Sequence, residues 1–165
     1  MSPLWDYFWP AFGVGLICGI IAGGFAWRRR SRRNAALALG VVGTLALAAL
    51  WHGPLGGADR FSGKVERSIH QMLVHYEMTQ VTAHLHRSPL TRRVMLSGPA
   101  DDFQHQGLIE YVDKLPGVED ATWSSNGGTP LIIEGMAVAV LGFLLGLLLA
   151  YLVELRRRHN AQWNW

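Results

Sequence analysis

Hydrophobic residues run in long uninterrupted blocks toward both ends of the chain and in short periods between them. Residues 7–27, YFWPAFGVGLICGIIAGGFAW, carry no charge. At a rise of about 1.5 Å per residue, a helix of that length crosses a hydrocarbon layer roughly 30 Å thick. A second block, AALALGVVGTLALAALW at residues 35–51, is shorter and returns after a charged turn. The third spans residues 131–155, and its stretch 135–153 is uncharged and rich in leucine. The pattern predicts three transmembrane helices.

The middle segment, residues 52–130, changes period and is bounded by the turn-rich linkers GPLGGADR and SSNGGTP. Asp59 caps a predicted helix reaching about residue 76, with Phe61, Val65, Ile69, Met72, Leu73 and Tyr76 recurring at the helical period. TQVTAHLH then alternates Val81, Ala83 and Leu85 against Thr82, His84 and His86, as in a half-buried strand. RSPLTRR reads as a turn, and VMLSG as a second strand with Val94 and Leu96 inward. Asp101 or Asp102 caps a second helix with Phe103, Leu108, Val112 and Leu115 on one face, stopped by Pro116 and Gly117. VEDATW supplies a third strand, with Trp123 in the core. The expected fold class is an α-helical membrane protein carrying a small α+β domain of order αββαβ. Its parts are a transmembrane hairpin (1–51), the domain (52–130), a third transmembrane helix (131–155) and a tail (156–165).

Composition agrees. Half of the 165 residues are apolar and 16% are charged, against about 25% charged in soluble chains. Intrinsic disorder is excluded, and the deficit of charge falls in the three apolar blocks. The net charge of +3 changes meaning once it is placed along the chain. Arg28, Arg29, Arg30, Arg32 and Arg33 separate the first two spans, and Arg156, Arg157 and Arg158 follow the third. Basic clusters mark cytoplasmic loops, and three spans put both clusters on that side, with secondary contact to lipid headgroups. The N-terminus and residues 52–130 then lie outside, and the C-terminus inside. MSPLWDYFWP has Asp6 and no Lys or Arg, unlike the basic start of a cleaved signal peptide. Residues 52–129 hold seven basic and nine acidic groups, so the domain is mildly acidic and nucleic acid is not an expected partner. Trp5, Trp9, Trp27 and Trp51 mark the span boundaries. Trp163 and Trp165 end a tail, NAQWNW, that either returns to the headgroups or docks on a partner.

Each span carries a stripe of small residues. Gly15, Gly19 and Gly23 recur in the first; Ala36, Gly40, Thr44 and Ala48 in the second; Gly135, Ala139, Gly142, Gly146 and Ala150 in the third. Such stripes let helix backbones approach, either within one chain or against another integral membrane protein. The spans contain no His, Lys, Arg or Asp at membrane depth, and their only acids are Glu134 and Glu154 near the ends of the third. That disfavours an ion path or a histidine-held pigment. Glu134 reads as an acid satisfied by the helix dipole.

Six of the seven histidines, 52, 70, 75, 84, 86 and 105, fall in the outer segment, yet only His84 and His86 share a predicted face. Two ligands without a cysteine do not make a structural zinc site. Cys18 lies at membrane depth, and Ser97 and Ser124 lack a nucleophile-elbow context. No catalytic, cofactor or metal residues are expected.

The order αββαβ, the VMLSG strand ending, the following helix of about fifteen residues and LPGVEDATW together resemble the BON-domain family over residues 61–124. The most specific pieces are Leu96-Ser97-Gly98 and Pro116-Gly117-Val118. The resemblance implies a non-enzymatic module of the bacterial envelope, engaged in phospholipid contact, protein association and membrane maintenance. The expectation is an accessory or scaffolding subunit of a larger complex in the cytoplasmic membrane, with Thr82, His84 and His86 on a possible docking face. A free-standing envelope protein that binds anionic phospholipid is the rival, and a transporter or sensor component the weaker third reading.

Overall fold

The computed structural model describes residues 2–28, 30–124 and 128–162. Arg29 of the first basic cluster, residues 125–127 of the second linker, and Trp163 and Trp165 of the tail lie outside the described residues. The chain forms two units, Met1–Tyr7 with Gly56–Glu134 and Phe8–Leu55 with Gly135–Trp165.

The second unit is helical. Three helices, α1 (Pro3–Arg28), α2 (Arg33–His52) and α5 (Leu131–Gln162), are long and apolar enough to cross a membrane. The arginines 156–158 continue α5 rather than beginning a separate tail, since nothing in YLVELRRRHNAQ breaks a helix. Between α1 and α2 the chain makes a short 3-10 turn, Arg30–Arg32.

Glycines set the packing of this unit. Gly15 abuts the backbone of Ala139 and Phe143, and Gly19 that of Phe143 and Gly146. Reciprocally, Gly142 lies against Phe12, and Gly146 against Leu16 and Ile20. Contact positions rise together along both helices, so α1 and α5 run parallel. Against them α2 runs antiparallel: Gly40 meets Ala22 and Phe143, while Ala48 shares a buried cluster with Ala11 and Ala139. Both arginine clusters therefore end up at the same end of the bundle, the arrangement that three spans require. Thr44, 1% exposed, satisfies its hydroxyl by donating to the Gly40 carbonyl one turn back, at 2.8 Å.

The first unit contains α3 (Gly57–His75), β1 (Thr82–Arg87), β2 (Leu90–Ser97), α4 (Asp102–Asp113) and β3 (Asp120–Thr122), the expected αββαβ order. The sheet runs β1-β2-β3, with β1 and β2 antiparallel and β2 and β3 parallel. Phe61, Val65, Ile69 and Leu73 of α3 and Leu108 and Val112 of α4 are buried together with Leu85, Val94, Leu96 and Ala121 of the strands. The first residues of α1 and α5 belong to this unit too. Tyr7 sits with its ring 5.7 Å from that of Phe61, Asp6 pairs with Lys64, and Leu131 is fully buried. Asp101, not Asp102, caps α4: its side chain accepts from the Gln104 N–H at 2.7 Å, and Gln104 reciprocates at 3.1 Å.

Two glycines need their special backbone. Gly98 has φ +133°, and a Cβ there would meet the Gln80 carbonyl. Gly117 has φ +106°, and a Cβ would press on Val65 at 2.8 Å. They are the glycines of the two short motifs quoted above.

Several expectations are corrected. Asp59 does not cap α3: the helix starts at Gly57 behind Gly56, and Asp59 stands inside its first turn. Trp123 lies just past the end of β3 and is half-buried rather than in the core. Phe103 is 88% exposed, because it lies five residues before Leu108 and so falls well off the buried stripe. Tyr76 lies past the end of α3 and stacks on Tyr111 outside the core, their ring centroids 5.0 Å apart. In RSPLTRR only Ser88 and Pro89 lie between strands: Leu90 to Arg93 belong to β2, where Thr91 is fully buried and bridges Pro130.

Candidate functional site

The helices cover one face of the sheet, through Leu85, Val94, Leu96 and Ala121. Strand alternation sends Thr82 and His84 of β1, Arg93, Met95 and Ser97 of β2, and Asp120 and Thr122 of β3 to the other face. Register aligns them in rows: Thr82 opposite Ser97, His84 opposite Met95 and then Thr122, Arg93 opposite Asp120. The first row is tied by a 2.8 Å hydroxyl pair between Thr82 and Ser97. The last is tied by a 3.0 Å ion pair between Arg93 and Asp120. Thr122 and Ser124 share a 3.0 Å hydroxyl contact. The result is a polar platform with Met95 at its centre, closed at one end where Gly128 lies against Thr91 and Arg93.

Thr82, His84 and His86 do not form one cluster. His84 is 68% exposed and its Nδ1 lies 3.9 Å from Glu66. His86 is committed to the hairpin, its Nδ1 lying 3.0 Å from the Pro89 carbonyl. Among the described residues no three His, Cys, Asp or Glu side chains are grouped so as to hold a metal ion.

Edge strands of a small sheet invite pairing with another chain unless they are blunted. Here both edges are engaged by carboxylates from the helices. Glu66 of α3 accepts from the Leu85 N–H at 3.2 Å while also binding Arg87 at 2.8 Å. Asp113, the last residue of α4, accepts from the Ala121 N–H at 2.6 Å. Such capping disfavours strand addition and leaves the face as the available surface.

Beside the sheet, Arg92 bridges two acids, Glu134 at 3.0 Å and Glu119 at 3.8 Å. Its carbonyl also accepts the Glu119 N–H. Glu134 does stand in the first turn of α5, but it has an arginine partner as well as the helix dipole. On the outer side of α4, Lys114 donates to Glu110 at 2.7 Å. That bond holds the Glu110 carboxyl below its usual value and raises the Lys114 ammonium. Trp123 is half-buried, its indole against the His105 ring at 4.1 Å and its N–H donating to the His105 carbonyl.

In the helical unit Gly15, Gly19, Gly23, Gly142 and Gly146 are brought together in the α1–α5 seam, Gly23 against Ala150. Gly40 packs on Ala22 and Phe143, and Gly135 is buried. The stripes are thus used inside the chain, whereas the faces around Gly13, Gly24 and Gly43 stay open. Arg28 ends α1, Arg32 and Arg33 lead into α2, and Arg156, Arg157 and Arg158 are exposed on α5, where Arg158 pairs with Glu154 at 2.9 Å. Arg30 lies in the turn between α1 and α2.

Ser97, Met95 and Thr122 escape a reading that stops at β1, although alternation against Val94 and Leu96 already turns Met95 and Ser97 outward. Glu66 and Asp113 have no such signal, since only the folded sheet brings a free edge to them. Compared with family models, curated proteins and solved structures, the chain matches none.

Proposed function

We propose that this chain is a non-enzymatic accessory or scaffolding subunit of a bacterial inner-membrane complex, anchored by three spans and presenting a BON-like domain on the periplasmic side. The observation that supports it is the sheet face: a polar platform of Thr82, His84, Met95, Ser97 and Thr122 whose flanking edges are engaged by Glu66 and Asp113. A capped sheet with one face that no helix among the described residues covers suits docking of a folded partner protein rather than strand exchange. The glycine seams being consumed within the chain, the helices act as an anchor and the domain meets the partner. The domain's excess of acidic over basic groups weighs against its binding anionic phospholipid by charge.

The test is native size. Extracted from its own membranes in mild detergent, the protein elutes with other chains, well above the mass of one 18.3 kDa chain in its micelle. Migration alone overturns the reading. A periplasm-active reporter fused after Gly128 is active and one after Arg158 inactive; the reverse pattern overturns the orientation.

A further inference from the structure

The bundle contains a groove of about 590 Å³ between α1 and α2, lined by Cys18, Ile21 and Phe25 on one wall and Leu39 and Gly43 on the other, with Arg32 at one end. Apart from that guanidinium the lining is apolar, so at membrane depth hydrocarbon fills it in preference to water. Gly43 has no atom within 4 Å of where its Cβ would stand, while Gly40, deeper, rests on Ala22 and Phe143. The groove is therefore an open slot with a packed floor.

Its charge is one-sided. No Asp or Glu occurs from Tyr7 to Ala58. Glu154, which lines clefts with Arg28 and with Arg33, is engaged by Arg158. Arg32 has no ion-pair partner among the described residues, and Arg28 and Arg33 flank it in sequence. An apolar slot ending in uncompensated guanidinium matches a molecule with a long hydrocarbon tail and an anionic head.

We propose that the α1–α2 groove is a binding site for one anionic phospholipid of the surrounding bilayer, an acyl chain lying along Leu39 and Gly43 and the phosphate on Arg32. This goes beyond the scaffolding role and stands independently of it, since the site is in the helical unit and the docking platform in the domain.

The full-length protein, purified in non-ionic detergent, is titrated with phosphatidylglycerol or phosphatidylcholine of identical chains and the bound lipids are counted by native mass spectrometry. The wild type retains one phosphatidylglycerol in preference to phosphatidylcholine. Arg32→Gln weakens that retention about fivefold, the effect of one basic residue at a membrane surface. Gly43→Leu, which fills the slot, abolishes it. Gly13→Leu, at a position with equally free space outside the groove, leaves it unchanged. Equal retention of both lipids overturns the proposal, as does retention that survives both Arg32→Gln and Gly43→Leu. Loss of a bound protein from Gly43→Leu with lipid content unchanged assigns the groove to a partner helix and overturns it too.

Discussion

Gly15 and Gly24 stand on the same helix, and the same substitution at each should have opposite consequences. A Cβ at Gly15 would overlap the Ala139 carbonyl oxygen and crowd Phe143, both backbone contacts that no rotamer change relieves. Relief requires α1 and α5 to part by about 1 Å. A gap of that order forfeits roughly a quarter to a half of each contact's dispersion attraction. In a bilayer, lipid tails would replace lost apolar burial, so packing of this kind would be the main force holding the two helices together. Gly15→Ala should cost roughly 1–3 kcal/mol, the range for overpacking a filled interior. Gly24 has nothing within 4 Å of its Cβ position, so Gly24→Ala should be neutral or stabilise by up to about 1 kcal/mol through helix propensity. Reversible unfolding of the purified protein in mixed micelles, read by circular dichroism and tryptophan fluorescence, measures both. Equal stability of the two variants would refute the parallel α1–α5 seam.

Arg92→Leu leaves Glu134 and Glu119 facing each other without a cation, and should cost about 1.5–3 kcal/mol. The double variant Arg92→Leu/Glu134→Leu should recover part of that in thermal unfolding, and no recovery would deny the pair. Asp101→Ala removes a reciprocal cap from α4 and should cost about 0.5–2 kcal/mol in the same assay, whereas Asp102→Ala should cost less. For Glu110 and Lys114 the direction with pH is fixed by their shifts. The lowered Glu110 value means its contribution is present above the unfolded pKa and fades as pH falls through the folded one. The raised Lys114 value means its contribution is present below the unfolded pKa and fades as pH rises through the folded one. A small stability deficit of Glu110→Gln at neutral pH should therefore vanish in acid; a deficit that grows in acid would contradict the pairing.

How much of this was legible follows from the range of each interaction. The α3 stripe and the β1 and β2 alternation are local, and residue spacing announces them; for the α4 cap spacing offers Asp101 and Asp102 alike, and only the folded turn selects Asp101. Phe103 is apolar but out of helical phase with Leu108, and RSPLTRR has the composition of a loop, with Pro89 and three arginines, although each arginine has a distant acid. Arg92 finds Glu134 and Glu119, Arg93 finds Asp120, and Arg87 finds Glu66, none of them adjacent in sequence. The glycine stripes were visible as stripes, but which helix each one faces is settled only by packing. For the platform, outward positions could be read strand by strand, while the rows across it depend on the β1-β2-β3 order.

In the proposed assembly the sheet face opposite the helices holds a partner protein. The native size of Met95→Arg beside Glu110→Arg, each extracted from its own membranes in mild detergent, tests that docking. Met95 is at the middle of the platform and Glu110 on the outer side of α4. Met95→Arg should collapse the assembly to a single chain in its micelle while Glu110→Arg keeps the wild-type size. An assembly that survives Met95→Arg intact, or a wild type that already migrates alone, would contradict it.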